Sequence, residues 1–185
     1  MSLFGKIPIE CPDLAKRIVG YVRSQNPDEN NCRGWTNSVK AALRDIGHEL
    51  NFEVYPEPQG GEFLLDVIWY SEAGGIELAA ESEWHTKPAE VLADFQKLVY
   101  VKSPVKVMIY WVESHARGGE RVLGEMVGYM EKYNKHLAGE EYLFVAFGRR
   151  CDDRCYWYVA PQDGTNKPIS LIHIQLNHTV AAPSI

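Results

Sequence analysis

Apolar positions along the chain repeat with two different periods, and the changes of period divide it into elements. In 14–23, Leu14, Ile18, Val19 and Val22 follow helical spacing, with Asp13 placed to cap the first turn. The polar run SQNPDENNCRG ends that pattern and reads as a loop. A second helix is expected from Trp35 or Thr36 through Val39, Ala42, Leu43 and Ile46, stopped by Gly47 as a left-handed cap. HELNFEVYPEP then reads as a strand closed by prolines, and a connection through Gln59, Gly60 and Gly61 leads to the strand FLLDVIWY, with Asp66 inside it. The turn SEAGG leads to a third strand, IELAAESEW, so the three form an antiparallel meander.

From Lys87 or Pro88 the period is helical again, with Val91, Leu92, Phe95, Leu98 and Val99 on one face. VKVMIYWV is a continuous apolar run rich in β-branched and aromatic residues, which predicts a central strand covered on both faces. A further helix is expected over 120–137, then the strands EYLFVAF, YWYVA and ISLIHIQL. This order predicts an α/β fold with a mixed central sheet flanked by helices. Without a repeat or linker, 1–185 reads as a single domain, with additional helix and strands over 119–176.

Composition narrows the class only a little. The 185 residues are 45% hydrophobic and 24% charged, the balance of a globular domain, and the net charge of −6 opposes a generally basic nucleic-acid scaffold while leaving room for a local positive groove. The start MSLFGKIPIE lacks the basic segment and long apolar core of a signal peptide, and no apolar run reaches the roughly 18 to 20 residues of a membrane span. A cytoplasmic protein with reduced thiols is expected, with no membrane partner. Cys151 and Cys155 in RRCDDRC could supply two zinc ligands, but no second pair accompanies them.

Chemistry concentrates on the meander. Asp66 lies in one apolar strand and Glu81 near the end of the next, and a period of two puts Glu83 on the same side as Glu81. Burying such carboxylates costs several kcal/mol by general estimate unless they are solvated, paired or bound to metal. A solvated edge position is the plain reading of each alone. Mg²⁺ takes hard oxygens and often only one or two carboxylates, so Asp66 and Glu81, joined by Glu83 and by Glu53 or Glu49 from the preceding strand region, make a candidate divalent-metal site.

The succession of helix, three strands with Asp66 in the second and Glu81-x-Glu83 in the third, helix and strand resembles the common core of the PD-(D/E)XK, or restriction-endonuclease-like, superfamily. The resemblance covers about 35–111. It implies a Mg²⁺-dependent nuclease, with Mn²⁺ as a substitute, acting on nucleic acid and on DNA in particular. Glu83 occupies the position where that superfamily usually has lysine, and the replacement positive charge is sought on the next helix, at Lys97 or less favourably Lys87. A regular helix turns Lys97 almost directly away from the face centred on Phe95. Gln96 and Tyr100 resemble the Gln-x-x-x-Tyr element of exonuclease-like branches, where they would position substrate or the active-site glutamate.

Other groups are weaker pointers. His85 reads as a surface residue capping the next helix, His115 with Arg117 and Gly118 as a loop near substrate, and His173 as facing the sheet surface. Arg149, Arg150 and Arg154, with Lys102, Lys106, Arg117 and Arg121, form the candidate positive patch, weakened by Asp152 and Asp153. Two further readings remain open: a nuclease-fold subunit that binds nucleic acid or protein without cutting, and an interaction protein without a metal site. A homodimer or larger assembly fits any of the three.

Overall fold

A computed structural model of the chain describes residues 7–28, 31–56, 64–85, 87–113, 119–133, 135–161 and 169–176. In these residues helices α1 (Cys11–Ser24) and α2 (Cys32–Glu49) precede strands β1 (Glu53–Tyr55), β2 (Val67–Ser71) and β3 (Gly75–Glu83). Helix α3 (Pro88–Tyr100), strand β4 (Val105–Val112), helix α4 (Glu120–Lys132) and strands β5 (Glu141–Gly148), β6 (Arg154–Val159) and β7 (Ile172–Ile174) follow. The seven strands make one sheet in sequence order. Pairing is antiparallel from β1 to β3, parallel from β3 through β4 to β5, and antiparallel from β5 to β7. The fold is therefore α/β, with a mixed central sheet flanked by helices.

Each sheet face carries its own core. Leu14, Ile18 and Val22 of α1 and Trp35, Val39 and Leu43 of α2 pack on Trp69, Leu78, Val107, Ile109 and Phe147. Val91, Phe95 and Leu98 of α3 and Met126 and Met130 of α4 pack on Ala79, Met108, Tyr110 and Phe144. Strand β4 is buried throughout, and its apolar residues alternate between the two cores, which is why its sequence is apolar apart from Lys106.

Several boundaries differ from the sequence expectation. Asp66 lies just before β2 rather than inside a strand, because pairing with β3 begins at Val67. Gly47 is not a helix cap: α2 continues to Glu49, and a Cβ at Gly47 would sit 2.6 Å from Val54 Cγ2 and 2.7 Å from Trp69 Nε1. The glycine is required by close approach of α2 to β1 and β2. Helix α1 begins at Cys11, with Glu10 rather than Asp13 at its N-cap. Helix α2 takes in Cys32, Arg33 and Gly34 from the expected loop, and the Asn31 side chain caps it by accepting from the Gly34 N–H at 3.0 Å. Helix α4 ends at Lys132, five residues before its expected end, where Tyr133 takes an extended conformation. The expected connection at Gln59, Gly60 and Gly61 lies outside the described residues, as does most of the segment APQDGTNK, expected as the turn between the last two strands.

Candidate functional site

The antiparallel ladder brings the start of β2 to the end of β3. Val67 pairs with Ala80, so one step further Asp66 faces Glu81. On β3, Leu78 and Ala80 enter the α1–α2 core while Ala79 enters the α3–α4 core. The period of two then puts Glu77, Glu81 and Glu83 on the α3 side. Glu81 is only 4% exposed, and its Oε1 has no hydrogen-bond donor among the described residues. Lys97 Nζ lies 3.3 Å from that oxygen, at ion-pair distance but without the alignment of a hydrogen bond.

Lys97 also pairs with Asp94 Oδ1 at 2.6 Å, one helical turn earlier. The expected turn of Lys97 away from the site does not hold. Helix α3 divides its apolar face between β3 and β4 on one side and α4 on the other, so the centre of that face is not the direction of the sheet. Its long aliphatic stem does the rest.

Asp66 is held from both sides. Ser82 donates twice to Oδ2, from its backbone N–H at 2.9 Å and its hydroxyl at 2.7 Å. Lys40 of α2 places Nζ 2.9 Å from Oδ1. Burial is the main cause that pushes the Glu81 carboxyl up to about 7; the Asp66 and Asp94 charges add to it and Lys97 opposes it. Glu83 is also raised, by burial first and by Asp94, against the His85 N–H that donates to its Oε1 at 2.8 Å. The Asp94 hydrogen bond, with the Glu81 charge, holds the Lys97 ammonium above its ordinary value despite partial burial.

Of the residues picked from sequence, Asp66, Glu81, Glu83 and Lys97 come together. Gln96 is half-buried on α3 and takes part in none of these contacts. Tyr100 is 63% exposed and meets Tyr129, by a hydroxyl contact, and Tyr133 instead. Glu53 pairs with Tyr70, at the far end of β2 from Asp66, and accepts from the Tyr55 hydroxyl at 2.7 Å, so it adds no oxygen to the site. Glu49 pairs with Arg17 on the outer surface of α1 and α2. Lys87 and His85 both face Glu90 near the start of α3.

The positive patch disperses. Lys106 is 2% exposed and paired with Glu140 at 2.9 Å, so it is part of the core and not a phosphate contact. Arg121 pairs with Glu125, and Arg154 lies 3.8 Å from Asp152. Asp153 is a buried anchor, accepting from the Gly148 N–H at 3.0 Å and from Arg23 Nε at 2.9 Å. Lys102 and Arg149 are exposed, and His173 lies on β7 beside Tyr156. Cys151 is exposed and Cys155 buried in the sheet, both as free thiols. His115, Arg117 and Gly118, and the Arg150 side chain, lie outside what is described.

Three residues of the site were missed from the sequence. Asp94 stands at i−3 from Lys97, a spacing that could have exposed it. Ser82 lies between two glutamates. Lys40 has no local signal, because only tertiary packing brings α2 to Asp66.

Among the described residues no three His, Cys, Asp or Glu side chains form a metal-holding group, and no helix is long and apolar enough to cross a membrane. The donors present nevertheless fit Mg²⁺, which can take two carboxylates and leave its remaining positions to water and phosphate. The buried Glu81 oxygen, which takes the Lys97 charge at 3.3 Å but no aligned hydrogen bond, supports that fit. No protein-family model and no curated protein matches the chain. Among solved structures, the YaeQ protein from Xanthomonas axonopodis pv. citri is similar with a TM-score of 0.34 and 10% identity, over 75% of this chain and 78% of that one. At that level the likeness carries no argument about function.

Proposed function

We propose that the chain is a Mg²⁺-dependent nuclease of the cytoplasm, built on a restriction-endonuclease-like core and hydrolysing phosphodiester bonds of nucleic acid, DNA in particular. The observation that carries this reading is Glu81: a carboxylate 4% exposed, near enough to Asp66 to be raised by its charge, with one oxygen lacking a hydrogen-bond donor among the described residues and Lys97 at ion-pair distance. A fold gains no stability from such a group. Its chemistry is that of a hard-cation ligand.

Asp66 and Glu81 would hold the ion, and Ser82 keeps Asp66 oriented. Bound Mg²⁺ supplies charge to a phosphoryl oxygen and lowers the pKa of water. Lys97, steered by Asp94, presents positive charge to balance what the phosphoryl oxygens gain in the transition state. Glu83, on the same side of β3 as Glu81, would orient the attacking water.

A nuclease-fold subunit that binds without cutting is favoured by two observations. Asp66 already has both oxygens engaged, and a glutamate stands where the superfamily usually has lysine. Cleavage of supercoiled plasmid, linear duplex, single-stranded DNA and RNA in Mg²⁺ or Mn²⁺ separates the readings, comparing the native chain with folded Asp66→Ala and Glu81→Ala. Metal-dependent cutting lost in both variants is the expected result. Metal binding without cutting selects the binding subunit; no cutting, with metal binding unaltered by either change, overturns the site.

A further inference from the structure

The two lysines of the site come from opposite layers and are not equivalent. Lys97, from α3, divides its ammonium between Glu81 and Asp94, so it can leave Glu81 and remain paired. Lys40, from α2, has Asp66 as its one ion-pair partner among the described residues. Asp66 is itself asymmetric. Its Oδ2 is committed to two donors of Ser82, one of them backbone, while Oδ1, among the described residues, meets Lys40 alone. The oxygen that can turn to a cation without breaking the hold on β3 is therefore the one Lys40 covers.

We propose that Lys40 is a built-in counter-ion of the metal-free site, displaced from Asp66 Oδ1 when a divalent cation binds, and that it thereby lowers and sets the affinity of the site for that cation. The proposal rests on the reading of Asp66 and Glu81 as the cation-holding pair. The exchange leaves Asp66 compensated: an ammonium leaves a carboxylate that a divalent ion takes, and Glu81 meets the second charge of the ion. It is also easy, because the Lys40 and Asp66 side chains are 31% and 23% exposed, so the ammonium moves into water rather than into the core. A partly solvated pair of this kind is weak. The competition it imposes is worth roughly two- to fivefold in apparent affinity, more at low ionic strength.

The test is Mn²⁺ binding by titration calorimetry to the full chain, comparing native, Lys40→Met, Lys40→Arg and Asp66→Asn. The expected result is Lys40→Met binding Mn²⁺ about two- to fivefold more tightly than native, the gain shrinking with added salt, while Lys40→Arg stays near native. A merely structural lysine would not give tighter binding on removal and recovery with arginine. Should Lys40→Met fail to fold by circular dichroism, Lys40→Gln provides the same comparison. Binding that is unchanged or weaker in the neutral variant overturns the proposal. If native binds and Asp66→Asn does not, that outcome leaves the metal reading standing. If the native chain takes up no Mn²⁺, both fall together.

Discussion

Glu81 is a residue the fold carries at a cost. Its carboxyl is raised to about 7 from an unfolded value near 4.5, mainly by burial, and Asp66 adds repulsion. A raised carboxyl favours the folded state fully below about 4.5, and that contribution is lost as pH rises through about 7. Above neutrality the metal-free chain holds an ionised Glu81 at a cost on the order of 3 kcal/mol. Glu81→Gln removes the charge and keeps the shape. Urea unfolding of metal-free protein should show the variant more stable than native by about 1–3 kcal/mol at pH 8, with the gap closing toward pH 4.5. A constant gap across that range would mean that ionisation of Glu81 is not the cause. The cost at this one residue is what its place near the end of the apolar strand IELAAESEW hinted at.

Elements meet where glycine allows them to, and the same substitution has opposite signs in two helices. In α2, Gly47→Ala would drive a methyl into Val54 and Trp69, whose indole N–H donates to Leu43 O at 2.9 Å. Overpacking outweighs the better helix propensity of alanine, so a net loss of about 1–2 kcal/mol is expected. In α4, a Cβ at Gly124 meets nothing within 4 Å, and Gly124→Ala should stabilise by about 0.5–1 kcal/mol. Thermal or urea unfolding of the two variants beside native checks both signs. From sequence the two glycines differ only in reading, Gly47 resembling a helix end. Packing of α2 on β1 and β2 makes it an interior contact, information that no local pattern carries. The same holds for Lys97, whose direction depended on α3 sharing its apolar face with α4.

Across the whole molecule, a buried polar network joins the ends of both helices on one face to the sheet. Lys106 of β4 donates to Glu140, to the Tyr142 hydroxyl and, at 3.4 Å, to Val99 O at the end of α3. His136 places Nδ1 2.7 Å from Glu140 Oε1 and Nε2 3.0 Å from Met130 O of α4, so both ring nitrogens face acceptors and the imidazolium fits both. Burial lowers the His136 pKa and Lys106 opposes the charge, but Glu140 and the Met130 carbonyl outweigh them and hold it above 6.5. Its contribution is therefore complete below about 6.5 and lost as pH rises through the higher folded value. Native stability minus that of His136→Gln, from urea unfolding, should fall between pH 6 and pH 9. A difference independent of pH would remove His136 as the titrating link. Glu140 moves the other way, its carboxyl held low by His136 and Lys106 against burial, so its share is lost only in acid.

Local pattern determined the order of helices and strands, the double burial of β4 and the placing of Glu81 and Glu83 on one side of β3, because these follow from backbone periods of 3.6 and 2. Tertiary structure decided which charges meet. Antiparallel register put Asp66 opposite Glu81 and sent Glu53 to the other end of β2. Packing of helices on both faces brought Lys40 and Lys97 to those carboxylates and sealed Lys106 into the core with Glu140. A period describes which way a side chain points from its own backbone; the partner it finds depends on register, helix rotation and close approach between segments distant in the chain.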